Sequence, residues 1–188
     1  MEKREYIKRG FEAHYKRHSQ RNEDGFCIWM RPGVPDDMKE AALGDGEWSI
    51  WKLIPSTVSE EDIEGLEEEF GLQFPQWYKA FISTYFHYFD SAPSQPSDDP
   101  LDEIEGMHNP LLCKFGYLPF TWDSNDAYIL CIDLNGGANE EEYAIVQIDH
   151  DILFDFEEST TEHAELKEAM EFLYPNFKAW FDHTFLES

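Results

Sequence analysis

The sequence predicts an α+β fold with a central, mainly antiparallel sheet flanked by helices and a helical extension at the N-terminus. Helix-like patterns occupy the first half and the C-terminal end of the chain, and apolar runs typical of strands lie between them. With 188 residues, 41% of them hydrophobic, the chain can bury roughly 70% of its unfolded surface. We therefore expect one main domain over residues 48–188, preceded by a basic helix and an irregular extension over residues 1–47.

The N-terminal segment is basic. Residues 1–22 contain seven Lys/Arg and three Glu, with aromatic residues among these charges. This pattern predicts a helix over Glu2–Arg21 that has a solvated face and docks on the acidic remainder of the chain. Residues 22–55 show no regular pattern, because the turn signals "RPGVPDD" and "GDGEW" surround only a short apolar piece, Phe26–Met30.

Two helices are predicted next. Ser59 is a good N-cap, the acidic residues after it suit the positive end of a helix dipole, and Gly71 suits the C-terminal cap. Pro75 fits the first position of a second helix, in which aromatic and aliphatic residues recur at helical spacing and predict a buried face. They are Trp77, Tyr78, Phe81, Ile82, Tyr85, Phe86 and Phe89. Segment 90–100, rich in Pro, Ser and Asp, is expected to be an exposed loop.

Strands are predicted in the middle of the chain, where three apolar, β-branched or aromatic runs are bounded by turn residues. The runs are Leu111–Phe115, Tyr128–Leu134 and Tyr143–Asp149. Asn135-Gly136 is expected to supply the positive φ angles of a hairpin turn between the last two. The stretch "ILFDFEES" predicts a further strand, and Thr160–Leu173 and Pro175–Phe185 predict two C-terminal helices.

Charge is the dominant compositional feature. The chain has 40 Asp/Glu and 14 Lys/Arg, which gives a formal net charge of -26. Such a surface repels phosphates, so direct binding of nucleic acid is disfavoured, whereas a basic protein partner would be attracted. Solubility alone is the alternative interpretation of this acidity.

The sequence also bears on location and on the cysteines. No run approaches 18 consecutive apolar residues and the first residues lack a signal-like apolar stretch, which predicts a cytoplasmic protein without a membrane partner. Cys27, Cys113 and Cys131 are odd in number and show no CxxC pairing, so we expect buried hydrophobic side chains rather than ligands.

Calcium binding is suggested by Asp123, Asn125 and Asp126, but the spacing is wrong. A calcium loop of the EF-hand type requires glycine at its sixth position and glutamate at its twelfth. Loops that begin at Asp123 or at Asp133 have neither residue at these positions. We therefore expect no metal there.

The sequence also lacks the spacing of known zinc-binding and catalytic motifs. His150 lies between Asp149 and Asp151 without HExxH or a Cys/His pair at ligand spacing, so a zinc site would need distant histidines. Those histidines are His87, His108 and His163. The chain also lacks the GxSxG, P-loop and GxGxxG motifs, so we expect no catalytic residue, metal or cofactor. A metal-dependent hydrolase that uses Asp149, His150 and Asp151 is the one enzymatic hypothesis that these residues leave open.

Three blocks in order carry a family resemblance: Ser59–Ile82, Gly116–Asn135 and Tyr143–Asp151. The first shows the pattern I..LE..FG...P..Y..F, from Ile63 to Phe81. The second has a glycine, an aromatic-Trp-Asp segment and a strand that ends in Asp-Leu-Asn. In this order, over roughly residues 48–150, the blocks resemble the SUKH superfamily, which includes a yeast regulator of cell-wall assembly and glucan synthesis and many bacterial immunity proteins.

The resemblance implies a small α+β domain that binds proteins and has no known catalysis. Its bacterial members look like antidotes that bind a cognate polymorphic toxin, often a nuclease. We accordingly expect an immunity protein that binds and occludes a basic, nuclease-type toxin. A non-catalytic regulatory or scaffold protein linked to cell-wall synthesis or signalling is the alternative.

The candidate partner-binding residues are the acidic loops that must be solvated and the polar or aromatic residues around the predicted strand at 128–134. They are Asp98, Asp99, Asp102, Glu103, Trp122, Asp123, Asp126, Asp133, Glu140, Glu141 and Glu142. Trp122 is equally well explained as a core anchor. Asp133 and Asn135 are also explained as local hydrogen-bonding residues of a turn.

Overall fold

The computed structural model describes residues 2–21, 27–29, 36–43, 48–86 and 101–187. Helices precede and follow two antiparallel sheets. The helices are α1 (Lys3–Arg21), α2 (Glu60–Phe70), α3 (Gln76–Thr84), α4 (Asp102–Glu105), α5 (Pro110–Lys114), α6 (His150–Leu153), α7 (His163–Ala169) and α8 (Phe177–Phe181). The strands are β1 (Cys27–Trp29), β2 (Lys39–Leu43), β3 (Trp48–Trp51), β4 (Tyr117–Trp122), β5 (Tyr128–Asp133), β6 (Ile145–Asp149) and β7 (Glu171–Tyr174).

The larger sheet has the strand order β4-β5-β6-β7, and every neighbouring pair is antiparallel. Its register places Tyr117 opposite Asp133 and Tyr128 opposite Asp149. This sheet and the helices around it confirm the predicted α+β class. The smaller sheet, in the order β1-β3-β2, is formed by a region in which the sequence showed no regular pattern.

Helix α1 packs into the same core as the C-terminal helix. Ile7 and Phe11 are fully buried, and the Phe11 ring lies 5.6 Å from the Phe181 ring and 5.2 Å from the Phe185 ring. The Arg17 guanidinium donates to the backbone carbonyl of Phe185 at 2.8 Å. The predicted helix and its docking are thus present, while the division between residues 47 and 48 stays a prediction.

Helix α2 begins and ends as predicted. The Ser59 hydroxyl accepts from the Asp62 backbone N–H, the Asp62 carboxylate accepts from the Ser59 backbone N–H, and Gly71 closes the helix at φ 62°. This reciprocal pair is a capping box, and the left-handed conformation at Gly71 is one that glycine adopts without a Cβ penalty.

Helix α3 is shorter than its aromatic pattern predicts. Pro75 occupies the N-cap position, and the helix ends at Thr84 because the chain turns to pair with an earlier segment. The Phe86 backbone N–H donates to the Ile54 carbonyl at 3.0 Å, and Tyr85 forms a bridge with Pro55. The aromatic face is buried as predicted, but Tyr85 and Phe86 lie beyond the helix. Phe89 and the predicted loop 90–100 lie outside the described residues.

Two predicted strands are helices. Residues 110–114 form α5 because the Asn109 side chain accepts from the Leu112 backbone N–H at 3.0 Å and Pro110 takes the first helical position. The stretch "ILFDFEES" begins within α6, where Asp149 Oδ1 accepts from the backbone N–H groups of Asp151 at 2.8 Å and Ile152 at 3.3 Å. In both segments a side-chain cap starts a helical turn where the apolar composition favoured a strand.

Two further predictions were wrong in part. The helix predicted over Thr160–Leu173 ends at Ala169, and residues 171–174 form β7, which pairs with β6. Asn135 and Gly136 do not have positive φ angles. The connection between β5 and β6 is long enough to turn without them, and it contains a 3-10 turn over Glu140–Glu142.

The C-terminal helix starts at Phe177, where Asn176 caps it, and continues as a π-helical segment over Asp182–Glu187. Cys113 and Cys131 are buried, as predicted, and the Cys27 side chain lies outside the described residues. Across the described ranges, no helix combines the length and apolar character needed to cross a membrane.

Candidate partner-binding cleft

The candidate partner-binding residues do not form one site, because they lie at opposite ends of the larger sheet. Strand β5 begins at Tyr128 and ends at Asp133. The first end carries Trp122, Asp123 and Asp126, and the second carries Asp133 and Glu140–Glu142. Asp102 and Glu103 are exposed on α4, and Asp98 and Asp99 lie outside the described residues.

Glu140 and Glu141 bind helices of their own chain. The Lys3 ammonium donates to both carboxylates, and Trp77 donates its backbone N–H to Glu140 at 3.2 Å and its indole N–H to Glu141 at 3.0 Å. The Lys3 Nζ also lies 5.1 Å from the centroid of the Trp77 ring. The bond from the Trp77 indole, assisted by Lys3, lowers the pKa of the Glu141 carboxyl. These residues attach α1 to the rest of the molecule.

Asp133 and Glu142 stabilise turns at the same end of the sheet. Asp133 Oδ1 accepts from the backbone N–H of Asn135 at 3.0 Å and from its side-chain amide at 2.9 Å. The Glu142 carboxylate accepts from the Ala138 backbone N–H at 3.0 Å and the Asn139 amide at 2.8 Å. Local hydrogen bonds thus occupy acidic groups that the sequence also suggested for a partner.

Asp123 holds the turn between β4 and β5. Its Oδ1 accepts from the backbone N–H groups of Ala127 at 2.7 Å and Tyr128 at 2.9 Å. Burial opposes ionisation, but the hydrogen bonds from Tyr128, Ala127 and Asn125 outweigh it and lower the pKa of the Asp123 carboxyl. Asp126, in the same turn, is exposed and has a φ of 54°.

A cleft lies at the Trp122 end of the sheet, and we call it the aromatic cleft. It encloses about 430 Å³ between the α4–α5 segment, β4, β5 and α6 with the turn that follows it. Its lining is Gly106, Met107, His108, Asn109, Pro110, Leu111, Trp122, Ile129, His150, Leu153, Phe154, Phe156 and Glu158. This volume falls within the range of roughly 300 to 1,000 Å³ that is typical of ligand sites.

Three rings form the aromatic side of the cleft. The His150 ring lies 5.5 Å from the Trp122 ring and 4.6 Å from the Phe154 ring, both edge-on. Trp122 is partly buried, whereas Phe154 is 76% exposed and the neighbouring Ile152 is 47% exposed. Trp122 therefore serves as a packing residue and as part of an accessible surface.

The stretch of sequence that supplies the lining of the aromatic cleft is strongly acidic. Between residues 80 and 166 the sequence has 19 Asp/Glu and a single Lys/Arg, Lys114. The Lys114 ammonium donates to the Glu158 backbone carbonyl at 2.6 Å and lies 5.0 Å from the Phe115 ring. The Asp151 side chain is 93% exposed, with its Oδ1 3.5 Å from His150 Nδ1. An exposed apolar surface within a field of carboxylates is suited to a basic partner.

The hypotheses of metal and thiol chemistry find little support in this geometry. Asp149 caps α6, and within the described ranges no three His, Cys, Asp or Glu side chains are grouped to hold a metal ion. Burial raises the pKa of the Cys113 thiol to about 11 and that of Cys131 well above its ordinary value. Neither thiol is therefore suited to act as a nucleophile near neutral pH.

The structure is a small α+β domain with an aromatic cleft at one end of its larger sheet. The chain matches the SMI1 / KNR4 family (SUKH-1) over residues 57–183, which run from just before α2 into the C-terminal π-helical segment. The chain belongs to this family, and membership of the SUKH superfamily is confirmed. No curated protein matches the chain.

Sequence reasoning missed the part of the aromatic cleft that α6 and the following turn supply. Leu153 and Phe154 in the lining, and Ile152 beside it, were assigned to a strand, in which alternate residues would have faced a core. The signal that could have located them is Asp149, because an N-cap at that position makes the next four residues a single helical turn. A turn so short leaves Ile152 and Phe154 exposed.

Proposed function

We propose that this protein is a bacterial immunity protein that binds a cognate toxin and covers its active site, without catalysis of its own. Family membership supports the general class, since the SUKH-1 family is consistent with immunity proteins. The observation that carries the proposal is the aromatic cleft, where exposed Phe154 lies in a segment of the chain with 19 carboxylates and one lysine.

The charge favours a toxin with a basic surface. A nuclease that grips phosphates presents positive charge at its active site, so an acidic protein is steered to that site and competes with the substrate. The same charge disfavours direct contact with nucleic acid. The partner that we propose is therefore a nuclease-type toxin, which the protein binds in the cytoplasm.

The apolar residues supply the short-range part of the interaction. Interfaces typically contain a few well-packed aromatic anchors surrounded by a polar rim that excludes water. Phe154 and Ile152 would be the anchors, with Asp151 and Glu158 in the rim. Glu140 and Glu141 are less suited to the rim because Lys3 and Trp77 already bind them.

Growth rescue tests the proposal. The protein is co-expressed with the toxin encoded beside its gene, and with a toxin from an unrelated system as the control. We expect rescue from the neighbouring toxin alone, and loss of its nuclease activity when the purified proteins are mixed. Failure to rescue growth from any adjacent toxin would contradict the proposal and favour a regulatory or scaffold role.

Salt dependence tests the electrostatic part separately. Attraction between exposed charges is screened over about 8 to 10 Å near physiological ionic strength. The association rate of the two purified proteins should therefore fall steeply as salt is added, while the dissociation rate changes little. An association rate that does not respond to salt would contradict steering by charge.

A further inference from the structure

We infer that the aromatic cleft binds an arginine side chain of the partner, with the guanidinium against the aromatic rings and between carboxylates. This inference rests on the proposed function, because it names the group on the basic toxin that the cleft recognises. It makes the cleft a specific receptor for one side chain rather than a general acidic patch.

The lining supplies both kinds of contact that a guanidinium requires. Trp122, His150 and Phe154 line one volume of about 430 Å³, and the acidic residue Glu158 belongs to the same lining. Asp151 lies beside His150 with 93% of its side chain exposed. A guanidinium stacks on aromatic rings and can donate to two carboxylates through its planar set of N–H groups.

The molecule already recognises its own cations in this way. The Lys3 ammonium lies 5.1 Å from the Trp77 ring centroid and is bound by Glu140 and Glu141. The Lys178 ammonium lies 4.5 Å from the Tyr6 ring centroid and donates to Asp182. The aromatic cleft combines the same groups, but among the residues described as lining it there is no Lys or Arg.

Other ligands fit the cleft less well. A nucleotide would stack on the rings but would bring its phosphates towards Asp151 and Glu158. A purely apolar side chain would fill the lining but would leave the carboxylates without a partner. Arginine is preferred to lysine because a guanidinium is more weakly hydrated and stacks flat on a ring, whereas an ammonium is a compact, strongly hydrated charge.

The test uses the full chain and small probes, without the toxin. N-acetyl-arginine amide is titrated to about 50 mM, well into the weak-affinity range, while sodium chloride holds the ionic strength constant. N-acetyl-citrulline amide, which has the same shape without the charge, is the matched probe. Nitrogen–proton NMR spectra follow the Trp122 indole, which is assigned by its absence from a Trp122→Phe variant.

We expect a saturable shift of the Trp122 indole with the arginine probe and binding about tenfold weaker with citrulline, because charge-assisted hydrogen bonds are roughly twice as strong as neutral ones. Phe154→Ala and Glu158→Gln should weaken the arginine response severalfold. Two variants at exposed sites outside the lining, Phe172→Ala and Glu64→Gln, should leave it unchanged. Their folding is checked by the dispersion of the same spectra.

Three results would overturn the inference. They are the absence of a saturable shift at Trp122, equal binding of the two probes, and shifts that survive both cleft substitutions. Because toxin is absent from this test, growth rescue can succeed while the test fails, and the test can succeed while growth rescue fails. The failure of the arginine site and the failure of the proposed immunity function are therefore distinguishable.

Discussion

Glu67 provides the sharpest test of how the family pattern stabilises the fold. It is the glutamate of the sequence pattern I..LE..FG, and it is only 7% exposed. Its Oε1 accepts from the Phe74 backbone N–H at 2.5 Å and lies 2.8 Å from the Lys79 ammonium. One carboxylate thus joins α2, the α2–α3 turn and α3.

Two replacements of similar size, compared with each other, separate the two contacts. Glu67→Met removes both and leaves a buried N–H and a mostly buried ammonium unpaired, a class of change that costs about 3 to 5 kcal/mol when both charges are fully buried. The Lys79 side chain retains 18% exposure and can recover some hydration, so we expect about 2 to 4 kcal/mol. Glu67→Gln keeps an acceptor for Phe74 and should cost less.

Urea unfolding, followed by tryptophan fluorescence and by circular dichroism, measures these free energies of unfolding. The Lys79→Met variant and the double variant complete a double-mutant cycle. The loss of stability in the double variant should differ clearly from the sum of the two single losses, because the two residues share one interaction. If Glu67→Met lowers the free energy of unfolding by less than about 0.5 kcal/mol, as a surface substitution would, the reasoning is refuted.

Three further predictions concern pH, thiol chemistry and a glycine. Because the pKa of Asp123 is lowered in the folded protein, its contribution to stability is present above the ordinary aspartate pKa and is lost as pH falls through the folded-state pKa. An NMR titration of its carboxyl carbon measures this pKa, and an ordinary value would contradict the prediction. In a Cys27→Ser background, Cys113 and Cys131 should react with a thiol reagent at mildly alkaline pH only as fast as the protein opens, and fast labelling of the native protein would argue against their burial. Gly116→Ala should lower the free energy of unfolding in urea more than Gly71→Ala does. Both glycines have positive φ, but of the two only Gly116 would bring a Cβ against a side chain, the Asn135 amide at 3.0 Å. Equal losses would show that this contact is unimportant.

The sequence predicted the elements whose signals are local and mutually consistent. Helix α2 has its cap, its dipole charges and its terminal glycine in the order that a helix requires, and β5 is an apolar run between turn residues. Membership of the SUKH superfamily was predicted from the order of such elements, and the family match over residues 57–183 confirms it.

Two of the failures, the end of α3 and the strand β7, have one cause, which is that these elements depend on contacts between residues distant in sequence. The end of α3 is set by the hydrogen bond from Phe86 to Ile54, and residues 171–174 form a strand because β6 offers them a partner. Neither partner is visible in a local pattern. The apolar runs that became α5 and α6 contained capping residues, Asn109 and Asp149, whose significance depends on recognising that a single turn is enough.

Contacts between distant residues also explain why the candidate residues only partly coincide with the aromatic cleft. Trp122 does line the aromatic cleft, and Asp123 and Asp126 lie in the turn beside it. The acidic loop Glu140–Glu142 was chosen because it had to be solvated, yet two of its carboxylates bind Lys3 and Trp77, which are more than 60 residues away in sequence. Composition revealed the charge of the surface but not which charges are paired within the molecule.

The central claim is that the aromatic cleft binds the toxin, and the affinity of the Phe154→Ala variant tests it most directly. Phe172→Ala is the matched control, since Phe172 is 66% exposed on β7, the edge strand opposite β4. Calorimetric titration of the cognate toxin should show binding weakened at least about thirtyfold for Phe154→Ala, the effect of a hot spot of about 2 kcal/mol, and unchanged for Phe172→Ala. Full affinity in Phe154→Ala, or an equal loss in both variants, would contradict the account.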